Sequence, residues 1–150
     1  MTSIDVSRLE SLVGYNLKRA FNAVKADLGR TLEPFGLRMM TYSTLVLITD
    51  NPGLQQAKLA DALDMERPNL VAIIDDLERR KLVSRDSVPG DRRARALVPT
   101  KAGQTICKRA NEAVVAHEAS LFAGLGGVGM RDLLQALVRA NKALSRGERT

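Results

Sequence analysis

The sequence has one cysteine, one histidine and no tryptophan among its 150 residues. Because Cys107 has no second cysteine in the chain, an intramolecular disulfide is excluded, and there is no Cys/His cluster that could hold zinc. His117 is the single histidine, which excludes a catalytic site that relies on several imidazoles. The sequence therefore predicts a protein without a metal site or a cofactor, and one that is not an enzyme.

Long apolar runs are also missing. The longest stretches without a charged residue are 11 and 12 residues, from Met39 to Thr49 and from Ala119 to Met130. A membrane-spanning helix needs about 20 apolar residues. The first ten residues, MTSIDVSRLE, lack the basic segment and apolar run of a signal peptide. We therefore expect a cytoplasmic protein with no membrane association.

Aromatic residues make up only 3% of the chain, whereas 45% of its residues are hydrophobic and 27% are charged. This balance is typical of a folded protein, and the scarcity of aromatics predicts an aliphatic core. The length fits one domain that is large enough to bury such a core.

The excess of positive charge is confined to one segment. The net charge of the chain is +6. Between Arg79 and Arg109 ten basic residues stand with two acids, Asp86 and Asp91, so this fifth of the chain carries +8 and the remainder sums to −2. Charge that served solubility alone would be spread more evenly. The segment therefore indicates a polyanionic partner.

The N-terminal part predicts two helices. Ser7 and Glu10 form a capping-box pattern, and apolar residues recur every three or four positions from there until Pro34. A long apolar stripe near a terminus often packs against a partner chain. A second apolar helix is predicted from about Met39 to Asp50.

A helix-turn-helix follows. LQQAKLADAL (54–63) predicts a short helix, and RPNLVAIIDDLERR (67–80) predicts another after the tight break DME. The buried face of the second helix is predicted to contain Leu70, Ile73, Ile74 and Leu77. On its solvent-exposed side we expect two i,i+4 ion pairs, Asp75–Arg79 and Asp76–Arg80.

After this helix the apolar period changes from a helical one to two. LVSRD and RARALVP flank the turn residues of SVPGDR, which predicts a β-hairpin. Two further helices are predicted from about Lys101 and from Met130. A helix-turn-helix followed by a hairpin is a winged helix, whose second helix can enter the major groove of DNA while the hairpin reaches an adjacent minor groove.

The exposed positions of the second helix carry side chains that can read base edges. They are Arg67, Pro68, Asn69, Val71 and Ala72. Arginine can pair with guanine, asparagine with adenine, and a small apolar side chain can contact the thymine methyl group. The alternative is that Asn69 caps the helix and Arg67 is an ordinary surface residue. Predicted phosphate contacts are Arg79, Arg85, Arg92 and Arg95.

The segment LADALDMERPNLVAIIDDLERRKLVSRDSVPGDRRARALVPTKAG (59–103) resembles the MarR family of bacterial transcriptional regulators. The shared elements are LA in the first short helix, DDLERR at the end of the second, LVSR entering the wing, DRR at its tip and TKAG after it. The resemblance implies a mainly α fold, a winged helix-turn-helix with a two-stranded β-wing and long N- and C-terminal dimerisation helices. It also implies a homodimer that binds palindromic operator DNA. Asp91 and Arg93 match the family's Asp-x-Arg motif, in which the aspartate braces the wing and the arginine enters the minor groove.

We accordingly expect a single domain over residues 1–150, with a DNA-binding lobe at about 38–100 and dimerisation helices at about 5–34 and 101–147. Two positions depart from the family's pattern. Lys81 stands where glycine is usual, so the helix end must tolerate a Cβ there, and Pro99 replaces a leucine, which ends strand pairing.

The resemblance implies a repressor that is released from DNA by a small effector, of the aromatic acid or acyl-CoA type, bound between the dimerisation helices and the DNA-binding lobe. The candidate residues for that pocket are Tyr15, Arg19, Phe35, Met39, Tyr42, Asn111 and His117. Arg19 is the predicted counter-ion for a carboxylate or a phosphate. Tyr15 and the methionines are equally consistent with core positions, and His117 with a half-exposed structural residue.

Three alternatives remain open. A general architectural DNA-binding protein would use the same basic wing without an effector. An oxidant-sensing regulator would use Cys107, although a lone cysteine in a helix is most often a small core residue. A nucleotide-binding enzyme would use GLGGVG (124–129), which matches G-x-G-x-x-G, but the segment follows a predicted helix and lies outside any βαβ unit. It is predicted instead to be a flexible turn between the last two helices.

Overall fold

The computed structural model describes residues 4–145, and the side chains of residues 91–94 and 145 lie outside that description. The described chain is mainly helical. Its α-helices are α1 (Ser7–Glu10), α2 (Val13–Leu32), α3 (Met39–Asp50), α4 (Gln56–Ala62), α5 (Arg67–Arg79), α6 (Lys101–Leu121) and α7 (Gly126–Ser145). Its strands are β1 (Leu54–Gln55), β2 (Val83–Val88) and β3 (Asp91–Pro99). Short 3-10 turns follow α2 at Glu33–Phe35 and α6 at Ala123–Leu125.

The predicted fold class, a mainly α winged helix-turn-helix, is confirmed. The predicted hairpin is formed by β2 and β3. It belongs to a three-stranded antiparallel sheet of order β1-β3-β2, in which Leu54 pairs with Leu97. Leu54 and Gln55 form β1, although they were predicted to belong to the helix over 54–63, because a strand of two residues has no measurable period.

The start of the chain differs from the prediction. The capping box is not formed, because the carboxylate of Asp5, and not a side chain of the helix, accepts the hydrogen bond from the Ser7 N–H at 3.0 Å. The predicted single helix is also interrupted after Glu10. At the break the Asn16 side chain donates to the carbonyl oxygens of Glu10 and Leu12, at 2.7 and 2.8 Å, and so satisfies acceptors that a continuous helix would use.

The described chain divides into two compact units, residues 4–114 and residues 115–145. The first unit contains an aliphatic core, as predicted, with contributions from α2 to α6 and from the sheet. Its largest fully buried side chains are Leu32, Leu45, Ile48, Leu59, Leu70, Ile74, Leu77, Leu97, Val83 and Thr44. The hydroxyl of Thr44 donates to the Met40 carbonyl at 2.7 Å, so this buried polar group is satisfied. The predicted lobe and dimerisation boundaries stay a prediction.

In the second unit, the glycine-rich segment 124–129 is not the flexible turn that the sequence predicted. Residues 123–125 form a 3-10 turn, and α7 already begins at Gly126, four residues before the predicted start at Met130. The segment follows a helix and opens a helix. This context is not that of a dinucleotide-binding loop, which follows a strand.

No single helix within residues 4–145 is long and apolar enough to span a membrane. Taken together, the bent pair Lys101–Leu121 and Ala123–Leu144 has the required length and composition.

Candidate nucleic-acid interface

The recognition helix α5 is set up by a tight turn after α4. Asp64 has a left-handed backbone, with φ of 48°, and the Met65 N–H bonds to the Ala60 carbonyl at 3.0 Å, which closes α4. Pro68 occupies the first turn of α5, where its missing N–H leaves no helical hydrogen bond unmade. The turn thereby reverses the chain between the two helices.

One face of α5 is buried and the other is exposed, as the sequence predicted. Leu70, Ile74 and Leu77 are fully buried, and Ile73 is half-buried. The predicted base-reading residues are all exposed: Arg67, Pro68, Asn69, Val71 and Ala72. Glu66 is the N-cap of α5, and the helix has no side-chain capping bond. The alternative role of Asn69 as a capping residue is therefore wrong.

The acids of α5 pair differently from the prediction. Asp76 does pair with Arg80, at 3.5 Å, and also with Arg79 one turn on. Asp75 does not pair with Arg79 as predicted. Its carboxylate instead accepts from Arg85 on β2, because the wing brings that side chain back across the helix.

Arg85 joins the wing to the recognition helix through two carboxylates. Its Nη2 lies 2.5 Å from Asp75 Oδ1, and its Nη1 contacts Glu78 Oε2. The Arg85 side chain is only 22% exposed. Partial burial lowers the pKa of Arg85, but the hydrogen bond and charge of Asp75, together with Glu78, outweigh it and leave the pKa raised. Arg85, which was predicted to contact a DNA phosphate, is thus already paired with two carboxylates of α5.

The wing is the hairpin of β2 and β3 with Pro89 and Gly90 at its tip. Gly90 has φ of 86°, which the tight turn requires. The pairing runs from Val83 with Pro99 to Ser87 with Arg95, and an irregularity follows before the tip. Arg95 is exposed on β3. The predicted DNA contacts of Asp91, Arg92 and Arg93 fall on side chains outside the described residues.

The root of the wing accommodates both departures from the family's pattern. Lys81 has φ of 57°, so it adopts the left-handed backbone that glycine would favour, and its carbonyl accepts from the Thr100 hydroxyl at 2.7 Å. Pro99 is the last residue of β3, and the Thr100 N–H then bonds to the Leu82 carbonyl at 3.0 Å. Pairing ends at Pro99 as predicted.

Gly103 allows α6 to approach the wing root. A Cβ on Gly103 would lie 2.0 Å from the carbonyl oxygen of Leu82, so only glycine fits there. The N–H of Gly103 bonds to the Thr100 hydroxyl at 3.0 Å. The sequence carried this residue inside TKAG, but the close approach is visible only in three dimensions.

The ion pairs reduce the free positive charge of the basic segment. The segment from Arg79 to Arg109 carries a net charge of +8. Three acids of α5 pair with its first arginines, so the net charge of the longer segment from Asp75 to Arg109 is +5. The surface remains basic, and the carboxylates beside the recognition face are neutralised within the protein.

The predicted effector residues occur in separate groups. On α2, the Arg19 guanidinium donates to Tyr15 Oη at 3.0 Å and lies 5.6 Å from the centre of its ring. Tyr42 on α3 donates to Asn111 Oδ1 on α6 at 2.8 Å. The structure brings these four residues together as two pairs.

The other predicted effector residues lie elsewhere. The Phe35 ring lies 5.8 Å from the Arg109 guanidinium of α6, and Met39 is the first residue of α3. His117 is half-buried on the part of α6 that belongs to the second unit. Their common role in one pocket stays a prediction.

A groove of about 510 Å³ opens between the end of α2 and the start of α3. Its lining consists of Lys25, Gly29, Glu33, Gly36, Leu37, Arg38 and Met39. Two cations, Lys25 and Arg38, face a single carboxylate, so the groove suits an anionic group. Lys25 and Arg38 were not among the predicted effector residues, because they are separated in sequence and line one groove only through the chain reversal at residues 33–38.

A smaller cavity of about 230 Å³ lies between α3 and α6. It is lined by Val46, Thr49, Asp50, Gln104, Cys107, Lys108 and Asn111. Cys107 is buried, and burial raises the pKa of its thiol above the usual 9.0, with the hydrogen bond to Thr49 opposing that shift. A raised pKa keeps the sulfur in the less reactive thiol form at neutral pH. Among the described side chains, those of residues 4–90 and 95–144, no three His, Cys, Asp or Glu residues are grouped so that they could hold a metal ion.

The MarR family model matches residues 35–94, which include the helix-turn-helix and the start of β3. A protein of Thauera aromatica, proposed to regulate transcription of the hcr operon, is 32% identical over 85% of this chain and 77% of its own length. The structure of the transcriptional repressor CouR bound to a 23-mer DNA duplex is 35% identical, with a TM-score of 0.89, over 93% of this chain and 99% of CouR. CouR from Rhodococcus jostii RHA1 bound to p-coumaroyl-CoA is 32% identical, with a TM-score of 0.75, over 86% and 93% of the two chains. The matched segment contains the recognition helix, β2 and the start of β3, and the relatives cover most of the chain, which therefore belongs to the MarR family of transcriptional regulators.

Proposed function

We propose that this protein is a transcriptional repressor that binds palindromic operator DNA as a homodimer and is released by a small anionic effector. The observation that carries the proposal is the exposed face of α5, which stands beside a basic hairpin and is tied to it by Arg85. A helix and a hairpin in this relation fit a major groove and the neighbouring minor groove. The DNA-bound structure of CouR supports the same use of the fold.

In the proposed complex, the N-terminal half of α5 reads bases. Arg67 pairs with guanine, Asn69 with adenine, and Val71 and Ala72 contact thymine methyl groups. Arg93 enters the minor groove, with Asp91 as its brace. Arg79, Arg92 and Arg95 neutralise phosphates, so affinity falls steeply as salt rises. Arg85 is assigned the role of a brace for the wing because two carboxylates already hold it.

A second copy of the chain is the proposed occupant of two uncovered apolar faces. Near the N-terminus the exposed apolar side chains are Ile4, Leu9, Leu12, Val13, Leu17 and Phe21. In the second unit they are Val115, Leu121, Leu125, Val128, Leu134, Leu137, Val138 and Leu144. Exposed large apolar side chains in such numbers on these helices favour an interaction site. A two-fold dimer then places the two recognition helices on half-sites about one helical turn apart.

The proposed effector is an aromatic acid or its coenzyme A thioester. CouR binds p-coumaroyl-CoA, and this chain offers two places for the negative charge of such a ligand. One is Arg19 beside Tyr15, and the other is the groove with Lys25 and Arg38. The ligand acts by favouring a protein conformation that binds DNA less well, with a coupling free energy of typically about 1–3 kcal/mol.

Selection of binding sites from a randomised duplex library tests the DNA-binding part. The selected sequences should contain two inverted half-sites, and the Arg93→Ala variant should bind them more weakly than the wild type. Arg131→Ala, which removes an exposed cation from α7, should leave affinity unchanged. A library that yields no preferred sequence would favour the architectural alternative.

Displacement of the selected duplex by p-coumaroyl-CoA, with p-coumarate and free coenzyme A as controls, tests the effector part. If Arg38→Ala no longer releases DNA on addition of p-coumaroyl-CoA but Arg19→Ala still does, the coenzyme A phosphates bind in the groove with Lys25 and Arg38. The reverse result would favour binding of the phosphates at Arg19. Release by peroxide in the wild type but not in Cys107→Ser would favour the oxidant-sensing alternative. The buried position of Cys107 and the raised pKa of its thiol argue against that result.

A further inference from the structure

Arg80 links the C-terminal end of the recognition helix to the loop that ends α2. It is the residue that follows α5, and its side chain is 28% exposed. Its Nη1 donates to the Gly36 carbonyl at 2.8 Å, and its Nη2 donates to the Phe35 carbonyl at 3.2 Å. One planar guanidinium thus holds two successive carbonyl oxygens that lie 45 and 44 residues away in the sequence.

These carbonyls belong to the turn that closes α2. Phe35 ends the 3-10 turn, and Gly36 has a left-handed backbone with φ of 63°. Carbonyl groups at the C-terminal end of a helix have no N–H donor within the helix. The Arg80 guanidinium supplies the missing donors, and its positive charge interacts favourably with the negative end of the helix dipole. The fit is close, because a Cβ on Gly36 would lie 3.2 Å from Arg80 Nη2.

Two further contacts support this link, one to the Arg80 side chain and one to the loop itself. Asp76 Oδ2 lies 3.5 Å from Arg80 Nη1 and orients the guanidinium from within α5. The Arg109 guanidinium of α6 lies 5.8 Å from the centre of the Phe35 ring. The loop at residues 33–36 is therefore a junction of α2, α5 and α6.

We propose that Arg80 is a positioning residue for DNA binding, which sets the angle of the recognition helix relative to α2. This inference rests on the proposed function. The 13 residues of α5 span about 20 Å, so a tilt of roughly 10° about its C-terminal end moves its N-terminal residues by about 3 Å. Hydrogen bonds from Arg67 and Asn69 to base edges do not survive such a displacement, because they need donor–acceptor distances of about 3 Å.

The position of Arg80 predicts a distinct signature in binding assays. A phosphate contact and a positioning residue both lower affinity, but only loss of a phosphate contact also lowers the dependence of affinity on salt, by a slope of about one. A helix held at a fixed angle also requires a fixed distance between half-sites. Loss of the positioning residue should therefore relax the preference for the spacing of the two half-sites.

The test compares Arg80→Gln with Arg79→Ala on the selected duplex and on the same duplex with one base pair inserted between its half-sites. Arg79 is the matched control, since it is 77% exposed and its ion pair with Asp76 lies within α5. We expect Arg80→Gln to lose on the order of tenfold in affinity with an unchanged salt slope, and to discriminate less between the two duplexes. Arg79→Ala should lose about one unit of slope and keep the discrimination of the wild type.

A lowered salt slope or an unchanged spacing preference in Arg80→Gln would overturn the inference. Arg80→Lys, which keeps the charge but not the two-pronged geometry, should resemble Arg80→Gln, and full rescue by lysine would overturn it as well. Thermal unfolding of each variant shows whether it is folded at the assay temperature. If the wild type itself shows no preferred sequence or spacing, the proposed function fails, and the inference fails with it.

Discussion

The Arg85 guanidinium on β2 lies 2.5 Å from the Asp75 carboxylate on the recognition helix, so the wing and the helix that are proposed to hold DNA are joined by an ion pair. Glu78 on the same helix contacts the second arm of this arginine. The two acids stand on the exposed side of α5, where unpaired carboxylates would repel phosphates. Arg85 removes this repulsion and fixes the angle of the hairpin in the same contact.

The contacts of Arg85 with Asp75 and Glu78 predict a change in DNA affinity opposite in sign to the one expected from charge alone. Replacement of Asp75 and Glu78 by alanine removes two negative charges near DNA, which by charge alone should tighten binding. We expect weaker binding, by about 1 kcal/mol or roughly fivefold in Kd, because the wing loses its fixed position. Fluorescence anisotropy with a labelled duplex measures the change. Glu112→Gln, an exposed acid on α6, is the control, and tighter binding by the double variant would contradict the brace.

Gly103 should be the most sensitive helical glycine. A methyl group there would lie 2.0 Å from the Leu82 carbonyl oxygen, and neither backbone segment can move without disturbing the wing root. We expect Gly103→Ala to lower the free energy of unfolding by about 1–3 kcal/mol. Gly29→Ala is the matched control, since its Cβ meets no atom within 4 Å and the helix should gain up to about 1 kcal/mol. Urea unfolding measures the free energy of unfolding of both variants, and equal values would contradict the close approach of Gly103 to Leu82.

The Tyr42–Asn111 hydrogen bond should contribute measurably to stability. It joins α3 to α6 across 69 residues of sequence at 2.8 Å. We expect Tyr42→Phe to lose about 1 kcal/mol in the free energy of unfolding. Tyr15→Phe removes a hydroxyl that bonds an exposed arginine on its own helix, and it should change stability by less than about 0.5 kcal/mol. The same denaturation experiment compares them, and a larger effect at Tyr15 would reverse the assignment.

Cys107 predicts a stability change at alkaline pH. Burial raises the pKa of its thiol above 9.0, so the folded state holds this proton more tightly than the unfolded state does. The resulting stabilisation is fully present below the pKa of the unfolded chain and is lost as pH rises through the raised value. The wild type should therefore lose stability relative to Cys107→Ser over the alkaline range above pH 9.0. Urea titrations across that range measure the difference, and parallel pH profiles would contradict the burial argument.

Much of the DNA-binding unit could be predicted from periodicity and turn residues. The buried face of α5 follows from the spacing of Leu70, Ile74 and Leu77, and the hairpin follows from its alternation around Pro89 and Gly90. Contacts between distant segments could not be predicted in this way. The sequence predicted an ion pair with Asp76 for Arg80 and a phosphate contact for Arg85, and only the fold shows that each is held by partners on another element.

The local errors have local causes. The Ser7 pattern matched a capping box, but Asp5 was available two residues earlier and took the bond. The glycines of segment 124–129 suggested a loop, yet glycine only disfavours a helix and does not prevent one, and α7 begins among them. A residue's helix propensity is a small free energy that its neighbours readily outweigh.

The uncovered apolar side chains of α2, among them Leu17 and Phe21, have a thermodynamic consequence for the isolated chain. A helix that faces water on its apolar side gains little from folding until a second chain covers it. In the proposed homodimer, folding and association form one equilibrium, and we expect the midpoint of thermal unfolding to rise with protein concentration. At low copy number in a cell, the amount of folded regulator would then depend on its own abundance, before any operator or effector is bound.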